Sequence, residues 1–348
     1  MTSSQLIHLK PDTAPIFWWL VICACVIYGM ILLGGVTRLT DSGLSMVDWK
    51  PIMGIIPPLS ENDWREMFLK YQQYPEYKKT NFEMTLSEFK PIFMYEYLHR
   101  ILGRIIGITF FIPLLYFTIR KAIPSVLIPR LYLLLILGGF QGVLGWYMVK
   151  SGLVDDPNVS QYRLTAHLGM AVFIYSLILW TVFDLSLNYN HAIRSRIKWM
   201  SSTLTLLIFL MILSGGLVAG TRAGIPFPTW PLMGDTFIPP QIYSMNPSWL
   251  SAFEDMATIQ FNHRMFAYLL TIFIVIFAIV LLRSNVPRFL KNGTTALLFV
   301  LSLQVALGIS TLIFYIPIPV AAAHQVGAIA LLSVSLFITH SCLSREQI

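Results

Sequence analysis

Residues 96–119 read EYLHRILGRIIGITFFIPLLYFTI. The run is long and apolar enough for a membrane span, because about 20 such residues cross the hydrocarbon core. Yet Glu96, His99 and Arg100 stand at its mouth. Ionisable groups in hydrocarbon are costly, so they pair with one another, line a cavity or do chemistry. A second stretch, FNHRMFAY at 261–268, again sets His-Arg at the start of an apolar run. The two stretches together point to an all-α polytopic membrane protein with polar chemistry built into its helices.

The composition agrees. Of 348 residues, 56% are hydrophobic and 12% charged, which excludes an ordinary soluble domain. Eight spans are predicted, at 16–37, 93–119, 129–149, 163–184, 198–219, 259–282, 294–316 and 319–342. The net charge of +7 does not point to nucleic acid, because its placement follows membrane topology. Arg120, Lys121 and Arg130, then Arg194, Arg196 and Lys198, then Arg283, Arg288 and Lys291 mark alternate short connections. By the positive-inside rule these face the cytoplasm, and so do both termini. The first span has no evident cleavage site and reads as an uncleaved anchor, with a bacterial inner (cytoplasmic) membrane as the address. Cys23 and Cys25 fall in the first span and Cys342 at the end of the last, so no disulfide framework is implied. The first two read as packing residues.

The chain repeats itself. GGVTRLTDSG at 34–43 leads to DWKPIMG at 48–54, and GGLVAGTRAG at 215–224 leads to PTWPLMG at 228–234. EYLHR answers QFNHR, and LTAHLGMA at 164–171 answers AAAHQVGA at 321–328. Two four-span units follow, 1–190 and 191–348, each a four-helix bundle. An even number of spans per unit makes the repeat parallel, so the bundles are pseudo-symmetric about an axis along the membrane normal. The external loop 38–92 is long, and SENDWREMFLKYQQY within it reads as a short amphipathic surface helix. Trp49, Trp64, Trp230 and Trp249 suit an interfacial belt.

The repeat isolates four histidines. His99, His167, His263 and His324 each lie a few residues into an even-numbered span, and therefore at one depth near the outer face. His8, His191 and His340 lie at termini or in loops, with no counterpart in the other half. Two histidines facing each other in a bundle, with few inward carboxylates or thiols, suit the iron of a porphyrin, which supplies four nitrogens itself. Arg100, Arg264 and Arg163 suit its propionates, or equally snorkel to the interface. Glu96 precedes His99 by three residues on the same helix face, whereas the second half has Gln260 there. The N-terminal pair therefore reads as a reaction site, and the C-terminal pair as an electron relay. Gly103 and Gly107 in the second span, and Gly138, Gly139, Gly142 and Gly145 in the third, suggest close helix approach or room for a flat ring. Gln141 and Gln304 are matched polar residues able to hydrogen-bond within the bundle.

The ordered set GGVTRLTDSGLSMVDWKP, KYQQYPEYKK, EYLHRILGR, LTAHLG, TWPLMG, FNHRMFAY and AHQ resembles the heme A synthase family, in its α-proteobacterial and mitochondrial branch. The resemblance covers nearly the whole chain. It implies oxidation of the C8 methyl of heme O to a formyl group, by two hydroxylations and loss of water. The product is heme A for terminal oxidases. It implies His263 and His324 as axial ligands of a heme b cofactor, His99 and His167 flanking the substrate heme, and Glu96 as the catalytic carboxylate. It also makes a homo-oligomer, or a complex with heme O synthase, a plausible assembly in membrane lipid. Another branch carries a cysteine pair in the first external loop; this chain has none there, so a thiol relay through that loop is excluded and the redox partner is open.

Two other readings stand beside this one. A di-heme cytochrome b carrying electrons to quinone or ferric iron would place its hemes at two depths. A transporter with parallel repeats would use His and Glu for proton coupling and hold no cofactor.

Overall fold

Prolines and short polar side chains set where many of the helices begin. The computed structural model describes residues 11–47, 55–154, 157–187 and 193–343. In chain order the helices are α1 (Ala14–Leu39), α2 (Glu61–Tyr71), α3 (Pro75–Lys79), α4 (Leu86–Ile119), α5 (Ile128–Gly152), α6 (Gln161–Ser186), α7 (Ser195–Thr221), α8 (Ser251–Glu254), α9 (Met256–Leu282), α10 (Arg288–Ile313) and α11 (Ile318–Leu343). All but α2, α3 and α8 are long and apolar enough to cross a membrane, which makes eight spans. No β-strand occurs among the described residues. Trp49, His8 and His191 lie outside them.

Prolines open α1, α3 and α5, where a missing N–H costs nothing. Asp255 caps α9 by accepting from the Thr258 N–H. At α4, Thr85 and Glu88 form a capping box, so the helix begins seven residues before the predicted span and stands above it as a stalk. Inside α4, Pro113 has no N–H to offer the carbonyl of Thr109. The indole of Trp19 on α1 donates to that oxygen at 2.9 Å. In hydrocarbon a freed carbonyl needs such a partner.

Helix α1 packs on α4 and α6, and α5 on α6 and α4; α7 packs on α9 and α11, and α10 on α11 and α9. The neighbours therefore follow one pattern in both halves. Across the halves α6 meets α7, and α11 meets α1 and α6, around one apolar core that includes Leu20, Ile178, Ile208 and Phe277. Hydroxyls within it are partnered: Thr205 contacts Ser335 and Thr339 at 2.7 and 2.8 Å, and Tyr175 contacts Ser333 at 2.9 Å.

Three expectations are corrected here. Gly138, Gly139 and Gly142 face open space, so in this chain they bring no helices together. Cys25 is exposed on α1, unlike buried Cys23. His340 lies within α11, buried, with Nε2 2.8 Å from Asp184 Oδ1. Arg130 pairs with the same carboxylate, so the cluster joins α5, α6 and α11.

Between α1 and α4, residues 55–85 form a folded cap. The predicted amphipathic helix is α2, opened by a Ser60–Asp63 capping box. Buried Tyr71, Phe89 and Phe93 join the cap to the α4 stalk, and Trp64 packs edge-on against Phe93 at 5.2 Å. Trp64 thus serves the cap, whereas Trp230 and Trp249 are exposed as a belt requires. Glu76 on α3 is buried and accepts from the Tyr71 hydroxyl at 3.0 Å. Asn81 donates to the same hydroxyl oxygen at 2.8 Å. Burial pushes the Glu76 carboxyl from 4.5 up to about 8; the Tyr71 bond opposes this, and the charges of Glu96 and Asp41 add to it.

Two outcomes follow. Trp19→Phe leaves the Thr109 carbonyl without its indole donor and lowers stability by about 1–3 kcal/mol, read by thermal unfolding in detergent. The folded cap keeps a proton on Glu76 that the unfolded segment releases above its ordinary value of 4.5. Cap stability is therefore greatest below that pH and falls as pH rises toward about 8. Hydrogen exchange over residues 60–90 tracks this fall, and Glu76→Gln flattens it.

Candidate functional site: paired histidines beneath the external loops

Each of the four histidines sits in the N-terminal half of its helix: His99 on α4, His167 on α6, His263 on α9 and His324 on α11. All four are half-buried, with part of the ring uncovered. Each ring lies against a helical glycine of a neighbouring helix. A methyl group built on Gly34 of α1 would stand 3.1 Å from His99 Cε1, and one on Gly145 of α5 would stand 2.9 Å from His167 Cε1. On Gly215 of α7 the distance to His263 Cε1 is 3.6 Å, and on Gly308 of α10 it is 2.8 Å to His324 Cε1. Any larger residue at Gly145 or Gly308 would displace the ring. His99 and His167 lie on α4 and α6, and His263 and His324 on α9 and α11, so each half carries two such rings.

Hydrogen bonds orient the rings. Gln141 donates to the backbone oxygen of His167 at 3.0 Å, and Gln304 to that of His324 at 2.9 Å, as their matched positions suggested. His324 Nδ1 lies 3.2 Å from the Gln304 carbonyl. His263 Nδ1 lies 3.0 Å from Ser214 Oγ. His99 Nδ1 is buried with no hydrogen-bond partner.

Within a turn of the rings, polar and charged residues latch the loops that follow α1 and α7. Glu96 accepts from Ser45 Oγ at 2.8 Å and from the Met46 N–H at 2.7 Å, and it pairs with Arg100. Arg100 also donates to the Met46 carbonyl at 2.7 Å. In the second half, Gln260 donates to the Phe227 carbonyl at 3.0 Å. Arg264 donates to Phe227 and Leu232 carbonyls at 2.9 and 3.1 Å, and its Nε is buried without a partner. The exchange of Glu for Gln thus suits two loops, one offering an N–H and the other a carbonyl. Arg163 stacks 3.7 Å from the Tyr147 ring centre and, with Lys150 and Trp146, lines a groove of about 500 Å³ beside α6. Asp41 bridges Arg38 and Arg222, and Arg38 donates to the Ala219 carbonyl, which ties the two halves together.

The donor set fits a porphyrin. Among the described residues no group of three or more His, Cys, Asp and Glu gathers to hold a bare ion. Each half offers two imidazoles, enough for the axial positions of a ring that brings its own nitrogens. Ser214, Gly308, Asp41 and Ser45 were not singled out from the sequence; Gly308 stands four residues after Gln304, as Gly145 does after Gln141, and that spacing was a usable signal.

Comparison with known proteins extends these findings. A family profile described as cytochrome oxidase assembly protein matches residues 17–336. A heme A synthase of Nitrosospira multiformis is 48% identical over 94% of this chain and 93% of its own length. One from Parvibaculum lavamentivorans is 42% identical over 93% of each chain. Heme A synthase COX15 of Bos taurus is 42% identical over 92% of this chain and 80% of its own.

Glu96 and Gln260 can be told apart by truncation. Breaking a buried ion pair costs about 3–5 kcal/mol, so Glu96→Ala lowers stability by that order and opens residues 38–47 to protease. Gln260→Ala, which loses a neutral bond, costs about 1 kcal/mol in the same thermal unfolding measurement.

Proposed function

Because this chain belongs to the cytochrome oxidase assembly family, alongside relatives that are heme A synthases, we propose that its two histidine pairs divide one reaction between them. The protein is an enzyme that converts heme O to heme A, oxidising a methyl group of the porphyrin. The N-terminal unit, 1–190, takes the substrate heme between His99 and His167. The C-terminal unit, 191–348, holds heme b on His263 and His324, and the two units are pseudo-symmetric. Heme b, when bound, supplies one-electron redox chemistry.

The chain's own residues bind, orient and cover. The glycines at 34, 145, 215 and 308 give the rings room. Arg100 and Arg264 present cations near the outer ends of the two sites, where propionates need them; Arg264 has the buried Nε still to satisfy. Glu96, within a turn of His99, holds the external loop down and keeps a carboxylate beside the substrate side alone. Negative charge there favours the positive charge that develops as electrons leave the methyl carbon. Both termini face the cytoplasm, in a bacterial inner membrane. The electron acceptor is a separate redox partner, and association with heme O synthase or with a second copy would shorten the path of an insoluble substrate.

The observation that carries the reading is the matched pair of bis-histidine seats, which differ by Glu96 against Gln260. In a host that makes heme O but lacks a heme A synthase, the native chain yields heme A or its hydroxylated intermediate on extraction. Glu96→Ala yields heme O and heme B. Heme B alone from both would overturn the reading. Gly145→Val, which crowds His167, cuts product by about 10-fold or more, whereas Gly142→Val, which points into open space, leaves it unchanged.

A further inference from the structure

The two seats also differ at the residue before each glycine pair. Gly34-Gly35 matches Gly215-Gly216, so Leu33 on α1 matches Ser214 on α7. An imidazole that binds iron through Nε2 carries its proton on Nδ1, and the acceptor of that proton fixes the tautomer and the ring's rotation. Ser214 Oγ stands 3.0 Å from His263 Nδ1 and fills that role. Leu33 has no polar atom to offer, and His99 Nδ1 is buried without a partner. The opposite members repeat the contrast: His324 Nδ1 lies 3.2 Å from the Gln304 carbonyl, whereas His167 Nδ1 is buried without a partner.

We propose that Ser214 is a positioning residue that makes the C-terminal heme a permanent resident, and that Leu33 leaves His99 unfastened so that the N-terminal heme can enter and leave. The inference rests on the reading that His263 and His324 hold the cofactor. It answers a need of the reaction: the substrate heme is released as product on every cycle, whereas the cofactor heme must stay. A ring already fixed by Ser214 loses little freedom when it ligates iron. The His99 ring, with an unsatisfied buried nitrogen, gains nothing by holding its pose. The bond to Ser214 also makes His263 a stronger donor, which favours ferric over ferrous iron and lowers the heme's potential.

The test uses the purified holoprotein with excess apomyoglobin as heme acceptor, together with a redox titration. Ser214→Ala is expected to lose heme b about 10-fold or more faster than the native protein, with its midpoint potential shifted upward. Ser214→Thr, which keeps the hydroxyl, restores both. Leu33→Ser is expected to slow release of heme from the N-terminal site and to lower turnover with it. Native loss rate and potential in Ser214→Ala overturn the role of Ser214, and unchanged release in Leu33→Ser overturns that of Leu33. His263→Ala separates this from the underlying reading. Retention of heme b with a native spectrum in that variant overturns the assignment of the C-terminal pair. Loss of heme b there, beside a native-like Ser214→Ala, overturns only the inference about Ser214.

Discussion

An imidazole cannot stand in hydrocarbon without a seat, and in this protein the seat is a glycine on the next helix. Water is absent from the bilayer core, so each polar group must find a partner within the chain or on a bound ligand. All four rings lie against helical glycines; His263 and His324 also find Nδ1 partners in Ser214 and the Gln304 carbonyl, whereas His99 and His167 have none within the chain. The helix packing follows from it. Gly34 and Gly145 bring α1 and α5 to the first pair, and Gly215 and Gly308 bring α7 and α10 to the second. The same economy places the Trp19 indole on the carbonyl that Pro113 sets free.

The loops that follow α1 and α7 are tied to these seats. Glu96 and Arg100 grip Ser45 and Met46, while Gln260 and Arg264 grip Phe227 and Leu232. The loops that cover the sites are therefore anchored within a turn of His99 and His263. Buried Glu76 sits in the cap, where the charges of Glu96 and Asp41 add to the rise in its pKa and that of Arg222 opposes it. Heme A synthesis needs a covered site for a reactive carbon and an opening for a large flat substrate. A cap held by a few polar contacts meets both needs.

The eight spans and the four histidines could be read from the chain because both are patterns along a single helix. Apolar length marks a span, and equal offsets in two repeats mark equal depth. Neighbours on other helices are harder to read. Periodicity says which residues share a face, but not which helix that face meets. Thus Gly138, Gly139 and Gly142 read as a packing stripe yet face open space, while Gly145 nearby seats His167. Ser214 belongs to no pattern along its own helix, and its part shows only beside the His263 ring. His340 read as a terminal residue because its partners, Asp184 and through it Arg130, come from distant helices. The early start of α4 was marked by Thr85 and Glu88, a local signal outweighed by the search for apolar length.

The central claim is that two hemes occupy two paired seats at one depth, one per half of the chain. The most direct measurement is a cryo-EM map of the protein in lipid nanodiscs, loaded with heme O. The account predicts one iron between His99 and His167 and a second between His263 and His324, level with each other near the capped face. A single heme shared between the halves, or hemes at opposite faces of the membrane, would contradict it.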